Sequence, residues 1–180
     1  GLAVVLLLGA FAAFVTPGFL TSSSDESGGG VVGSPRAAVV LPAMVAGHSK
    51  AVAPAAIAPS AVAAKALTAA GVTSVSAATY VKPGAQTFTL AAGLAPAAAA
   101  TRATYFTLWV HADGVVKPVA VASGMANVKA QCGTATVAGK PMGVCGFIGP
   151  KVAGTVSVPG ATAAQVAKLL PTLVKVPVVR

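Results

Sequence analysis

The stretch VKAQCGTATVAGKPMGVCGFI, residues 128–148, decides the expected fold. Two strand-like runs rich in Val, Thr and small residues lie on either side of a turn signal at Ala138-Gly139. If the chain reverses there, residues whose numbers sum to 277 face each other across an antiparallel pair. Cys132 and Cys145 meet that condition, and directly opposed strand residues have Cα atoms about 4.5–5.5 Å apart, within disulfide range. We therefore predict a hairpin that is closed by a Cys132–Cys145 disulfide.

The predicted disulfide also indicates in which cellular compartment the protein is located. The two cysteines are the only ones in the chain, and closing a loop of this size contributes about 3 kcal/mol by the chain-entropy estimate. Such a bond persists in an oxidising compartment, outside the cytoplasm. Two alternatives stay open: both cysteines are free buried thiols, or they join His48 and His111 on a metal. The second lacks any short C-x-x-C or H-x-x-x-H spacing.

Further strands are expected on both sides of the hairpin. The run TYFTLWV has the strongest strand propensity in the chain, and because both of its faces are apolar we interpret it as a central strand. HADG, residues 111–114, then predicts a hairpin turn. The predicted strands are Val72–Val81, Gln86–Leu90, Thr104–Val110, Val115–Val121, Val128–Val137, Met142–Ile148 and Thr155–Val158. Residues 37–66 are either an extended chain that crosses the cell wall or a strand around Ala37–Leu41 followed by loops.

Two short helices complete the expected fold. Ser60 is typical of an N-cap and Gly71 of a position just past a helix, which predicts a helix between them. Pro42, Pro54 and Pro59 argue against one long helix before that point. Residues 161–170 place Val166, Leu169 and Leu170 at helical spacing. The fold class predicted is α+β: an N-terminal apolar helix of transmembrane type, a small antiparallel sheet of hairpins, and a C-terminal helix.

The first twenty residues, GLAVVLLLGAFAAFVTPGFL, carry no charged side chain. About twenty such residues cross the hydrocarbon core of a bilayer, so we predict a membrane anchor. A signal-peptide remnant and a buried core or assembly helix are the alternatives. No cation follows before Arg36, which places the rest of the chain outside the cytoplasm. The predicted organisation is an apolar helix (1–20), a Ser/Gly-rich linker (21–36), an Ala/Pro-rich segment with a short helix (37–70) and an extracytoplasmic domain (71–180).

Composition argues against an enzyme. The 180 residues include twelve Lys and Arg but three acids and two histidines, for a net charge of +9. This leaves little from which to build acid–base or metal sites, and no nucleophile elbow, phosphate loop or dinucleotide fingerprint is present. We expect no catalytic residue, no cofactor and no metal. Asp113 is expected as a turn acceptor, His48 and His111 as solvated side chains, and Tyr105 and Trp109 as core residues.

The cations are spaced singly along the chain. Scattered lysines mainly keep a protein of low charge content soluble. Attraction to anionic envelope polymers or lipid headgroups is the functional alternative. Nucleic acid is not an expected partner, because its binding surfaces usually cluster their cations.

Short motifs in the last third resemble a known class of protein. They are Cys132-Gly133, Val144-Cys145-Gly146-Phe147, Gly154-Thr155-Val156 and the run from Pro159 to Gln165, within a match that covers about fifty residues. This segment resembles the extracytoplasmic domains of uncharacterised single-pass membrane proteins of actinobacteria. In those proteins a tryptophan and an acidic residue often follow the second cysteine, where this chain has Phe147 and Gly149. The resemblance implies an anchored envelope protein and assigns no functional residues.

These observations favour a non-catalytic, membrane-anchored extracytoplasmic protein that serves as a structural or interaction subunit of a larger complex. Its expected partners are membrane lipid through residues 1–20, a protein partner or further copies of the chain, and an anionic envelope polymer. Two alternatives remain: a subunit of a pilin-like surface filament, although Val5 stands where pilins carry glutamate, and a secreted module that binds anionic cell-wall polymer.

Overall fold

The computed structural model describes residues 37–137 and 139–180. Ten strands and three helices succeed one another in these residues: β1 (Val39–Val40), β2 (Met44–Val45), β3 (His48–Lys50), α1 (Pro54–Ala69), β4 (Thr73–Val81), β5 (Phe88–Leu94), α2 (Ala99–Asp113), β6 (Val116–Val121), β7 (Lys129–Val137), β8 (Lys140–Ile148), β9 (Val152–Pro159), α3 (Ala163–Leu173) and β10 (Val178–Val179).

Eight of these strands form one antiparallel sheet in the order β2-β3-β4-β5-β9-β8-β7-β6. The four C-terminal strands of the sheet, β6 to β9, follow each other as a meander. β9 then pairs with β5, which joins this meander to the N-terminal strands. The short strands β1 and β10 pair separately, where Val39 faces Val179.

Helices cover both faces of the sheet. Leu67 of α1 and Trp109 of α2 belong to one hydrophobic cluster together with Val144 of β8. The next residue of β8, Cys145, belongs to a second cluster with Leu170 of α3. Successive residues of a strand point to opposite faces, so α1 and α2 lie on one face and α3 lies on the other. The result is a three-layer arrangement with the sheet in the middle.

The predicted hairpin and its disulfide are confirmed. β7 and β8 pair in the expected register, with Cys132 directly opposite Cys145. The two residues form a disulfide with their Cα atoms 4.0 Å apart. Both are buried on the α3 face of the sheet, within the hydrophobic cluster that includes Phe147 and Val166.

The predicted fold class is wrong. A transmembrane-type helix, a small sheet of hairpins and one C-terminal helix were expected, whereas the described residues form a large eight-stranded sheet with three helices. The sheet is larger because β9 bonds to β5 and thereby joins two hairpin systems that look separate in the sequence. Such a long-range pairing leaves no local signal.

The largest local error concerns residues 104–110, which lie in α2 and not in a central strand. The alanine-rich residues before them are good helix formers, and Gly114 ends the helix in the left-handed conformation at φ 61°. The expected hairpin turn at residues 111–114 is therefore the last turn of α2 and its cap. In the helix, Tyr105 and Trp109 are four residues apart and therefore lie on the same face, which is buried.

The first helix begins earlier than predicted. α1 starts at Pro54, in the first turn, where a proline is tolerated, and it continues through Pro59. Ser60 is consequently a buried residue inside the helix and not its N-cap. The end of the helix is as predicted, because Gly71 follows it with φ 83°.

The transmembrane-type helix expected over residues 1–20 and the linker over 21–36 lie outside the described residues. None of the helices in the described part of the chain has both the length and the hydropathy that a membrane crossing requires.

Candidate functional site

The face of α2 that packs on the sheet carries a linked set of polar groups. Tyr105, Trp109 and Asp113 recur every four residues and so lie on one side of the helix. The Trp109 indole N–H donates to Thr155 Oγ1 at 3.2 Å, and the Thr155 hydroxyl donates to Asp113 Oδ2 at 3.3 Å. The Tyr105 hydroxyl donates to the Gly154 carbonyl at 2.9 Å. Tyr105, Trp109 and Asp113 are therefore all hydrogen-bonded to two adjacent residues of β9, Gly154 and Thr155.

This environment disfavours charge. Burial raises the pKa of the Asp113 carboxyl, and the polar groups of Trp109 and Thr155 lower it in part. Burial and the nearby Asp113 charge raise the pKa of Tyr105 well above its usual value, although its bond to Gly154 acts in the opposite direction. Asp113 is also at the C-terminal end of α2, where the helix dipole disfavours a negative charge.

Beside this set, a row of hydroxyl side chains crosses the sheet. Thr79, Thr89 and Ser157 are direct neighbours on β4, β5 and β9, and all three are buried. The Thr79 and Thr89 hydroxyl oxygens are 3.0 Å apart and share a hydrogen bond. Thr79 and Thr89 therefore satisfy each other's hydroxyl groups within the buried sheet.

The structure does not bring either histidine to Asp113. His48 lies on β3, next to the edge strand β2, where its ring nitrogens are 3.1 Å from the Ala46 and Gln86 carbonyl oxygens, and its ring meets Phe88 edge-on. His111 is exposed on α2, two residues before Asp113 and therefore on another side of the helix. No Ser-His-Asp arrangement is formed within residues 37–137 and 139–180.

Some of the sequence predictions for single residues agree with the structure and others do not. Tyr105 and Trp109 are fully buried core residues, as expected. Asp113 is not a turn acceptor, because it accepts a hydrogen bond from Thr155, forty-two positions along the chain. The disulfide removes both cysteines from the free-thiol and metal-ligand alternatives. Across the described ranges, no three His, Cys, Asp or Glu side chains come together as a metal site would require.

Charge is the most one-sided property of the surface. From residue 37 onward the sequence holds eleven of the twelve cations but only one acid, Asp113. That acid is partly buried, whereas every one of these cations is exposed. The surface of the described domain is therefore positive, with hardly any internal neutralisation.

Two depressions lie on either side of the turn between β8 and β9. The first has a volume of about 500 Å³ and is lined by the cations Arg102 and Lys129 together with Asn127. Arg102 is held in place, since its Nε donates to the Pro96 carbonyl at 2.7 Å and its Nη2 donates to the Pro150 carbonyl. A guanidinium fixed in this way offers its remaining N–H groups to an anion at little further entropic cost.

The second depression, of about 310 Å³, is mostly apolar. Val128, Phe147, Val152 and Val174 contribute to its lining, and Lys151 and Lys175 bring two cations to it. Sequence reasoning missed both depressions. The only signal was the Gly149-Pro150-Lys151 turn, which does not reveal that the loop after β6 and the chain after α3 approach it.

No family model matches this chain, and neither a curated protein nor a solved structure does.

Proposed function

We propose that this chain is a non-catalytic, extracytoplasmic envelope protein that binds an anionic envelope polymer and acts as an interaction subunit there. The observation that carries the proposal is the charge of the domain: eleven exposed cations and a single, partly buried carboxylate. Unpaired cations over a whole surface attract polyanions and accelerate their association.

The depression lined by Arg102 and Lys129 is the place on this surface where we expect the polymer to bind. Arg102 is anchored by the Pro96 and Pro150 carbonyls, and Lys129 lines the same concave surface. A planar guanidinium and an ammonium group together suit phosphate or carboxylate oxygens. A polymer with an acidic group on each repeating unit would contact this depression and gain further from the surrounding lysines.

The buried disulfide supports the extracytoplasmic assignment. Cys132 and Cys145 are both nearly inaccessible and join the paired strands β7 and β8. A structural bond of this kind forms and persists where the environment is oxidising. Anionic polymers of the envelope share that compartment.

The non-catalytic assignment rests on the polar groups of the core. Asp113 is linked to Trp109 and Thr155, and the hydroxyl groups of Thr79 and Thr89 bond to each other. A general base requires a proton to remove within about 3 Å and access for a substrate. The hydroxyl that donates to Asp113 belongs to Thr155, which is 1% exposed, so a substrate has no access to it in this arrangement.

The proposal is tested by binding the full-length oxidised chain to a purified phosphodiester cell-wall polymer, with a neutral glycan of the same length for comparison. We expect saturable binding to the charged polymer and at least tenfold weaker binding to the neutral one. Equal affinity for double-stranded DNA would indicate a non-selective polycation and would contradict the envelope assignment.

A pair of variants locates the site. Lys129→Glu and Lys140→Glu change the net charge equally, and both residues are exposed ends of strands in the same hairpin. Only Lys129 lines the depression, so Lys129→Glu should weaken polymer binding several-fold more than Lys140→Glu. Equal losses would place the contact elsewhere on the surface.

A further inference from the structure

The apolar depression next to the β8–β9 turn has the features of a ligand pocket. Phe147 and Val174 are buried beneath it, at 1% and 8% exposure, and Met125 stands at its side with 41% exposure. Its volume of about 310 Å³ is at the lower end of the range of about 300–1,000 Å³ that is typical of small-molecule sites. It has room for one slender apolar group.

Hydrogen bonds hold the walls of this pocket. In the loop after β6, the Ser123 hydroxyl donates to the Val128 carbonyl at 2.8 Å and accepts from the Met125 N–H at 3.2 Å. The opposite wall is a tight turn in which the Gly149 N–H donates to the Val152 carbonyl at 2.8 Å. Because hydrogen bonds fix the backbone of both walls, binding would cost little conformational entropy.

The same loop is fixed against α3. Gly124 has φ 75°, and a Cβ at this position would lie 2.6 Å from Pro171 Cβ. The backbone therefore passes so close to the helix that a glycine is required. This contact keeps Met125 and Val128 next to the chain that follows α3.

The charges at the pocket have one sign. Lys151 and Lys175 are both exposed and both contribute to the lining. No acid lines the pocket, and the only carboxylate from residue 37 onward, Asp113, belongs to α2 on the other face of the sheet. An apolar cavity with two unneutralised ammonium groups complements a molecule that has an apolar tail and an anionic head.

We propose that this pocket binds an anionic amphiphile with a single acyl chain. The chain lies against Phe147, Val152 and Val174, and the carboxylate or phosphate head lies between Lys151 and Lys175. This pocket and the polymer contact share Gly149 and Pro150 of the turn between them but no cation, so charge substitutions can test each without the other. The pocket is too small for a lipid with two chains.

Calorimetric titration of the full chain with dodecanoate, below the concentration at which it forms micelles, tests the proposal. We expect saturable one-to-one binding, with chemical-shift changes in an NMR spectrum confined to residues of the pocket. Butyrate, which has the head without the tail, and monododecanoyl glycerol, which has the tail with a neutral head, should each bind at least tenfold more weakly. Dodecyl phosphate compared with dodecanoate distinguishes a phosphate from a carboxylate head.

Paired charge reversals localise the site. Lys151→Glu/Lys175→Glu should weaken dodecanoate binding at least tenfold, whereas Lys82→Glu/Lys140→Glu, with the same net charge and located at the other end of the sheet, should leave it unchanged. All four lysines are exposed, and circular dichroism verifies that both variants fold. Absence of saturable binding to the wild type overturns the proposal. Dodecanoate binding that survives in the Lys151→Glu/Lys175→Glu variant also overturns it, because such binding arises elsewhere, for example at the apolar residues 1–20. Binding of the anionic polymer to the Lys151→Glu/Lys175→Glu variant is measured separately. A loss of polymer binding would bear on the proposed function and not on the amphiphile site.

Discussion

Gly146 lies directly beneath the indole ring of Trp109. A Cβ at position 146 would be 2.7 Å from both Cδ2 and Cε2 of the ring, closer than carbon atoms can approach. The ring thus rests on the backbone of β8, and its Nε1 donates to Thr155 on the neighbouring strand β9. The pair sets the position of α2 on the sheet, and through α2 the position of Asp113.

Gly146→Ala should destabilise the domain by about 1–3 kcal/mol, the usual cost of adding a methyl group to a filled core. Urea unfolding followed by circular dichroism measures this change. The contact itself is tested in a Trp109→Leu background, where the added methyl group no longer meets an indole ring. There the cost of Gly146→Ala should fall by more than half, because residues in contact are not additive. An unchanged cost would mean that the ring and the glycine do not touch.

The error over residues 104–110 follows from this same contact. Thr, Tyr, Phe, Trp and Val have high strand propensity, and six of the seven residues in this run are of these types, which predicts a strand. Tertiary packing decides otherwise, since the helix places Tyr105 and Trp109 together over the glycine-containing strands β8 and β9. Nothing in the local sequence indicates that a strand nearly forty residues away offers a glycine at the matching place.

Substitutions on the exposed and the buried side of α2 distinguish a helix from a central strand at residues 104–110. Leu108 is 38% exposed in the helix, so Leu108→Asn should cost less than about 1 kcal/mol, as surface changes usually do. The matched change Tyr105→Asn introduces a polar group at a fully buried position and should cost at least about 3 kcal/mol. In a central strand both positions would be covered, and both variants would be severely destabilised.

The raised pKa of Asp113 predicts a pH dependence of stability. Because the folded pKa is above the value of the unfolded chain, 3.8, the native state binds the proton more tightly. Ionisation of Asp113 therefore lowers stability as the pH rises through the folded pKa, and the loss is absent below both pKa values. Asp113→Asn keeps an acceptor for Thr155 without the charge.

Thermal unfolding from pH 3 to pH 7 measures this effect. Asp113→Asn should be more stable than the wild type at pH 7, and the difference should shrink towards zero below pH 3.8. Since both proteins carry the same other acids, the difference isolates Asp113. A variant that is less stable at pH 7 would show that the charged carboxylate is favourable in the fold.

Removal of the disulfide should reduce stability without changing the fold. Cys132→Ala/Cys145→Ala opens a loop whose ends are thirteen residues apart, for which the chain-entropy model gives a loss of about 3 kcal/mol. The register of β7 and β8 has eight further residue pairs within residues 129–148 to maintain it, so the circular dichroism spectrum should stay the same. Denaturant unfolding gives the loss, and alkylation of the wild type in denaturant without reductant should label no cysteine.

The sequence predicts contacts between residues that are close together in the chain, and it does not predict contacts between residues that are far apart. The hairpin of β7 and β8 is local, and its turn alone sets the register that pairs Cys132 with Cys145. Pairing of β9 with β5 spans about sixty residues and has no such signal. The polar set at Asp113 joins α2 to β9, more than forty residues further along the chain, and each of the two depressions combines three distant segments, so no spacing in the sequence could indicate them.

Salt dependence tests the central claim, that unpaired surface cations bind an anionic partner. The affinity of the oxidised full chain for the phosphodiester polymer is measured at NaCl concentrations from 50 to 200 mM. If several cations each displace a counterion, the logarithm of the affinity falls linearly with that of the salt concentration, by about tenfold or more over this range. Affinity that is the same at both ends of the range would contradict the claim.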